Sequence, residues 1–105
     1  MAEKSVDVDI LDIVKRYVAA VSEKFDIEAV YLFGSYAKGT NHENSDIDIA
    51  IVVKSEVNSF DLMVEMMFLT QYIDLRIEPH PIKLEDFESG NPFVDEIKNT
   101  GLKVA

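Results

Sequence analysis

Two aspartates separated by one residue open a strand-like run in the middle of the chain. The segment reads "SDIDIAIVV", with Asp46 and Asp48 before alternating apolar residues. Side chains two apart on a strand leave the same face, so these carboxylates are expected roughly 6–7 Å apart at the backbone. Such spacing suits two divalent ions about 3.5–4 Å apart. The pattern predicts a metal site, although an isolated Asp-x-Asp is also common as solvated charge at a strand end.

A Gly-Ser pair precedes the aspartates and ends the apolar run "EAVYLF". Glycine allows the backbone to approach a ligand closely. Ser35, after Gly34, offers a hydroxyl and a backbone N–H where a helical turn would begin, which favours a phosphate. Lys38, one turn further on, would add a positive charge. Alone, Gly-Ser is usually just a turn, but carboxylates and a phosphate cradle together predict a metal–nucleotide site.

A third acid lies in the segment "YIDLRIEPH". If this segment is a strand beside the first, Asp74 would complete the metal site. Arg76 shares its predicted face and is expected to form a salt bridge with Asp74 or Glu78, or to contact a phosphate. His80 is interpreted as an ordinary residue at the end of the strand. A set of oxygen ligands without histidine or cysteine favours Mg²⁺ or Mn²⁺ over Zn²⁺.

The elements that would position these residues follow from periodicity and capping signals. The order α-β-β-α-β-α predicts a small α+β or α/β domain with a mixed sheet under helices. In "DIDIAIVV" the aspartates share one face and the isoleucines the other. The prolines at 79 and 81 are expected to end the third strand. The predicted helices cover residues 10–25, 59–71 and 92–100, with a helical turn between Ser35 and Gly39.

Length and charge narrow the function classes. With 105 residues, the chain is expected to form one domain, residues 1–105. A net charge of −10 without a basic segment argues against binding to naked nucleic acid. No apolar run is long enough to cross a membrane. The absence of cysteine excludes disulfides and makes a cytoplasmic location the natural expectation.

The segment "GSYAKGTNHENSDID", in which ten residues separate Gly-Ser from Asp-x-Asp, resembles the signature of the minimal nucleotidyltransferases of the DNA polymerase beta superfamily. The resemblance covers most of the chain and implies that superfamily's α+β fold. It implies that Gly34 and Ser35 hold the triphosphate of ATP, and that Asp46 and Asp48 bind two Mg²⁺ or Mn²⁺ ions. Lys38 stands where arginine is frequent. Asp74 falls at the third acid, which would also accept the acceptor's proton.

The reaction implied by the resemblance is transfer of a nucleoside monophosphate, expected to be AMP from ATP, to a hydroxyl group. Minimal proteins of this type resemble antitoxins paired with a helical HEPN-domain toxin, which they modify with AMP on a tyrosine or simply bind. A catalytically idle interaction module that neutralises its partner by binding alone is the main alternative. Modification of a small molecule is a third, but it usually needs a further domain.

The helix predicted over residues 59–71 has more apolar residues than one buried face requires. Only Asp61 and Glu65 make a clear polar stripe. A surface helix of a small domain normally needs one apolar face. The surplus therefore predicts either a surface for a partner or a second copy of the chain, or burial of both faces under neighbouring elements. The apolar residues are Phe60, Leu62, Met63, Val64, Met66, Met67, Phe68 and Leu69.

Overall fold

The computed structural model describes residues 7–54 and 58–105, so residues 1–6 of the predicted domain lie outside the described part, as do residues 55–57. The α+β class with a mixed sheet is confirmed. Two short elements, α4 and β4, were not predicted. The helices are α1 (Val8–Ser22), α2 (Ser35–Lys38), α3 (Ser59–Thr70), α4 (Leu84–Ser89) and α5 (Pro92–Thr100); the strands are β1 (Ile27–Phe33), β2 (Ile47–Val53), β3 (Ile77–Lys83) and β4 (Leu102–Lys103).

The four strands lie in the order β3-β2-β1-β4. Strand β1 is antiparallel to β2 and β4, whereas β2 and β3 are parallel. The end of β1 therefore lies beside the starts of β2 and β3, at the edge of the sheet that is formed by strand ends. Every segment with candidate chemistry meets at this edge.

Strand β2 has the predicted alternation, and its two faces belong to two different apolar cores. Ile47, Ile49 and Ile51 pack into the larger core with residues of α1 and α3. Ala50 packs on the opposite face, in a smaller core that includes residues of α5. Asp48 shares the face of Ala50, so it leaves the sheet on the α5 side.

Each of the three longer helices begins after a residue whose side chain caps it. The side chains of Asp7, Asn58 and Asn91 each accept a hydrogen bond from a backbone N–H in the first turn of α1, α3 and α5, respectively. The predicted turn between Ser35 and Gly39 is confirmed as α2, and Gly39 ends it with a φ of 77°. Local signals therefore determine where the helices lie along the chain. The register of the sheet depends on contacts between segments that are distant in sequence.

The predicted extent of the third strand is wrong. Residues 71–76 form turns and a short irregular segment, and β3 runs from Ile77 through both prolines to Lys83. The prolines are tolerated because β3 is at the edge of the sheet. Residues 79 and 81 share one side of the strand. Proline has no backbone N–H, and on the side of β3 away from β2 an N–H would have no strand to bond. Asp74 therefore lies before the strand, not on it.

None of the helices in the described ranges combines the length and apolar content that a membrane span requires.

A buried hydrogen bond joins α1 to α3 beneath the sheet. The Tyr17 hydroxyl donates to the Met66 carbonyl at 2.7 Å. Burial raises the pKa of Tyr17, so the phenol stays neutral and remains a donor. The bond fixes the position of α1 relative to α3.

Replacing this donor tests its contribution. Tyr17→Phe removes the side-chain hydrogen bond to the Met66 carbonyl, and the free energy of unfolding is expected to fall by about 0.5–1.5 kcal/mol. The matched control is Tyr72→Phe, since Tyr72 is 70% exposed. Urea denaturation measures both. Equal stability of the two variants would contradict a role for the hydroxyl.

Candidate active site

The turn after β1 passes directly beside the second aspartate of β2. Phe33, the last residue of β1, pairs with Asp48 in the antiparallel register, and Gly34 follows it. Gly34 has φ 75° and ψ −151°, a conformation open essentially to glycine alone. A Cβ on Gly34 would lie 3.2 Å from the Asp48 Cγ and closer still to a carboxylate oxygen. Conformation and space both exclude a side chain here.

Helix α2 starts at this turn, and its last residue forms an ion pair with α5. Ser35 is its first residue, and the Lys38 N–H donates to the Gly34 carbonyl at 3.1 Å. The Lys38 Nζ lies 3.0 Å from the Glu96 Oε2 on α5, with both side chains about half exposed. Such a surface ion pair contributes only about 0–1 kcal/mol. A phosphate group bound at this edge can therefore compete with Glu96 for the lysine.

The structure brings Asp48 together with two residues of β3. Parallel pairing places Glu78 beside Asp48 and His80 beside Ala50. The His80 Nε2 lies 3.3 Å from the Asp48 Oδ1 and 3.2 Å from the Glu78 Oε1. Among the described residues, this is the group of three potential metal ligands whose ligand atoms all lie within 4.8 Å of one another.

Asp46 and Asp74 lie outside this group. Asp46 is exposed, immediately before β2, and by its spacing leaves the same face as Asp48. Asp74 lies in the turn before β3, where the Arg76 guanidinium donates to both its carboxylate oxygens, at 3.1 Å from Nε to Oδ1 and 2.9 Å from Nη2 to Oδ2. These hydrogen bonds lower the pKa of Asp74. The predicted Asp74–Arg76 salt bridge is confirmed.

The sequence alone did not place Glu78 and His80 beside Asp48. Both residues stand two apart, the same spacing as Asp46 and Asp48, and this repeat was the available signal. It was overlooked because the prolines on either side of His80 were interpreted as the end of the strand. The correct interpretation needs the position of β3 at the sheet edge, which is a property of the whole fold.

Aromatic rings confine the histidine. The centroid of the Phe33 ring lies 5.0 Å from that of His80, and the Phe93 ring of α5 lies 6.1 Å away. The two phenyl rings also contact each other edge to face, with centroids 5.6 Å apart. These contacts restrict the imidazole to the side of the carboxylates.

The donor set fits a divalent cation. Asp48 and Glu78 place two carboxylates side by side on neighbouring strands, an arrangement that is unfavourable without a positive charge. Among the ion pairs of the described residues, Asp48 has His80 as its partner. The absence of a side chain at Gly34 lets the backbone of this turn approach the Asp48 carboxylate closely. A cation with an attached phosphate group is the chemistry that this edge can accommodate.

Comparison with known proteins agrees with this geometry. The family model described as "Polymerase beta, Nucleotidyltransferase" matches residues 15–104. The "Putative protein adenylyltransferase MJ0141" of Methanocaldococcus jannaschii is 32% identical over 101 residues, which cover 91% of this chain and 99% of that protein.

Two solved structures share the fold. A Sulfolobus solfataricus protein solved as a "putative nucleotidyltransferase" has a TM-score of 0.66 and 26% identity, over 91% of this chain and 79% of its own. A toxin-antitoxin structure with AMP-PNP has a TM-score of 0.61 and 21% identity, over 90% of this chain and 72% of its own. Sequence and fold together show that the chain belongs to the polymerase beta nucleotidyltransferase family.

Proposed function

We propose that this nucleotidyltransferase transfers AMP from ATP to a hydroxyl group of a protein partner, a tyrosine of a helical HEPN-type toxin, and thereby acts as an antitoxin. The proposal rests on one observation: Gly34 closely approaches Asp48, and Asp48 pairs with Glu78 on the neighbouring strand. The relative from M. jannaschii is named as a protein adenylyltransferase, and the toxin-antitoxin structure contains an ATP analogue. Both support a nucleotide-dependent role toward a protein.

The roles of the residues follow from their positions. The Gly34-Ser35 backbone and the Lys38 ammonium bind the triphosphate, because they surround the turn beside Asp48. Asp46, just before β2, and Asp48, on it, would hold the divalent cations. Divalent cations bound there would neutralise the triphosphate and stabilise displacement of pyrophosphate.

We assign the third carboxylate to Glu78 in place of Asp74. Glu78 lies beside Asp48 in the sheet, whereas both oxygens of Asp74 are engaged by Arg76. The lowered pKa of Asp74 also makes it a weaker base. In the reaction, the acceptor oxygen forms a bond to the α-phosphorus, the bond from that phosphorus to the bridging oxygen breaks, and pyrophosphate leaves. The hydroxyl proton passes to Glu78.

The outer side of α3 is the proposed surface for the partner. Leu62 and Met66 face the core, and a second apolar stripe faces outward. Its residues follow the spacing i, i+3, i+4, i+7, i+8 and continue into the next turn. We call this the α3 apolar surface; it consists of Phe60, Met63, Val64, Met67, Phe68 and Tyr72. Exposed fractions from 38% for Met63 to 74% for Phe60 confirm that the surplus apolar residues are not all buried.

Charge favours a different protein over a second copy at this surface. Each chain has a net charge of −10, so two copies repel each other. Asp61 and Glu65 lie on the same helix as the apolar stripe. The expected partner therefore presents an apolar patch bordered by lysine or arginine side chains. Such a surface would also serve an idle module that neutralises its partner by binding alone.

Removing the aspartates of β2 tests the nucleotide site. Asp46→Ala/Asp48→Ala is expected to weaken Mg²⁺-dependent ATP binding by about a hundredfold or more, because the cations lose their carboxylates. Calorimetry on the free chain measures the binding. The matched control, Asp12→Ala/Asp86→Ala, makes the same charge change at exposed positions. Unchanged ATP binding in the first variant would contradict the site assignment.

Isosteric substitutions separate the two candidates for the third acid. Glu78→Gln is expected to lower the rate of AMP transfer by about a hundredfold or more, since it removes the group that accepts the proton. Asp74→Asn acts on a turn and is expected to retain about a tenth or more of the rate, with about 0.2–1 kcal/mol of stability lost. The mass of the co-purified partner, which gains one AMP, measures transfer. A larger loss of the transfer rate in Asp74→Asn than in Glu78→Gln would instead identify Asp74 as the third acid.

Lysine substitutions on the α3 apolar surface test the partner contact. Val64→Lys/Met67→Lys is expected to abolish co-purification of the partner and to leave the free chain folded, because both side chains are about half exposed. Val8→Lys is the control, at an exposed apolar residue of α1. Light scattering distinguishes the alternatives. A dimer of the free chain that these lysines dissociate would assign the surface to a second copy.

A further inference from the structure

The histidine beside the carboxylates changes the chemistry of the predicted metal site. The predicted preference for Mg²⁺ or Mn²⁺ over Zn²⁺ came from a set of ligands that contained oxygen alone. In the structure, His80 Nε2 faces both Asp48 and Glu78, and this edge of the sheet combines one nitrogen with carboxylate oxygens. Nitrogen and oxygen together are a different ligand class, because imidazole suits transition metals and Mg²⁺ strongly prefers oxygen.

The distances between the ligand atoms match those around a single ion. Adjacent ligands on an octahedral ion with bonds of about 2.1–2.2 Å lie about 3.0 Å apart, and on a tetrahedral ion about 3.4 Å apart. His80 Nε2 lies 3.3 Å from Asp48 Oδ1 and 3.2 Å from Glu78 Oε1. Both separations fall between the two values. The separations of His80 from each carboxylate are therefore those of neighbouring ligands on one cation, and all three ligand atoms lie within 4.8 Å of one another.

The surroundings hold the imidazole in this position and leave it open to a ligand. Phe33 and Phe93 pack against the ring and restrict its rotation. The Asp48 and His80 side chains nevertheless keep 23% and 28% of their exposure. Parallel β2–β3 pairing places both carboxylates on the same face as the histidine. The phenyl rings thus hold the imidazole in position, and the partly exposed side chains remain accessible to a ligand.

We infer that Asp48, Glu78 and His80 together bind a first-row transition-metal divalent cation, with His80 Nε2 as a direct ligand, so that this position prefers Mn²⁺ to Mg²⁺. The inference rests on the proposed function for its role in catalysis, because the same cation would contact the nucleotide. Metal binding itself needs neither ATP nor a partner. The site is specified by one imidazole on β3 and two carboxylates on adjacent strands.

Mn²⁺ is the probe, since its electron spin reports directly on coordinated nitrogen. The full chain is loaded with Mn²⁺ in the absence of nucleotide, and pulsed electron paramagnetic resonance is recorded. We expect modulation from one coordinated imidazole nitrogen. Incorporation of ¹⁵N-histidine is expected to shift it. This comparison needs no substitution, so it stands even if a variant fails to fold.

Substitution of each histidine identifies the ligand. His80→Gln is expected to remove the nitrogen modulation and to weaken Mn²⁺ binding about tenfold or more, with a smaller change for Mg²⁺. The chain contains one other histidine, and His42→Gln is the matched control because His42 is exposed in the loop before β2. It is expected to leave both the spectrum and the affinities unchanged.

The outcomes separate this inference from the proposed function. Absence of nitrogen modulation in the wild type, or equal loss of Mn²⁺ and Mg²⁺ affinity in His80→Gln, would overturn direct ligation. Loss of the modulation in His42→Gln would assign the nitrogen to the loop and overturn it as well. Failure of AMP transfer with the modulation intact would instead reject the enzymatic proposal and leave the metal site in place.

Discussion

The close approach of Gly34 to Asp48 is the constraint on which the rest of the site depends. Antiparallel pairing of Phe33 with Asp48 brings the turn after β1 against the second aspartate, and only a residue without Cβ fits there. A shift of the register by one residue would turn Asp48 toward the isoleucine core and Ile47 or Ile49 toward the turn. The buried isoleucines of β2 therefore hold the catalytic face in place, because burying aspartate among them would be costly.

Electrostatics explains why the carboxylates sit at an edge of the sheet. A chain with a net charge of −10 repels a triphosphate, and only local positive charge allows ATP to approach. Lys38 contributes one such charge, but Glu96 lies beside it. Cations held by Asp48 and its neighbours would supply the remainder. If the chain binds a nucleotide as proposed, its acidic surface makes that binding dependent on cations.

Local patterns in the sequence predicted most of the elements, and the error came from a long-range feature. Helical periodicity and the alternation after Asp46 are encoded within a few positions, and they located α1, α3, α5 and β2 along the chain. The start of β3 was placed too early because polar and apolar residues alternate from Ile73 through His80. Where along this alternation the strand begins depends on pairing with β2. For the same reason the sequence alone did not show that Glu78 lies beside Asp48.

Asp74 also has a structural part at this end of the sheet. Its carboxylate accepts hydrogen bonds from the backbone N–H and the guanidinium of Arg76, and the Arg76 carbonyl accepts the N–H of Ile47 at 2.8 Å. This chain of contacts joins the turn before β3 to the first residue of β2. Parallel pairing starts at Ile47 and Ile77, one residue before Glu78 comes to lie beside Asp48. Asp74 therefore contributes to the carboxylate pair from a distance, by fixing the register of the strand that carries Glu78 and His80.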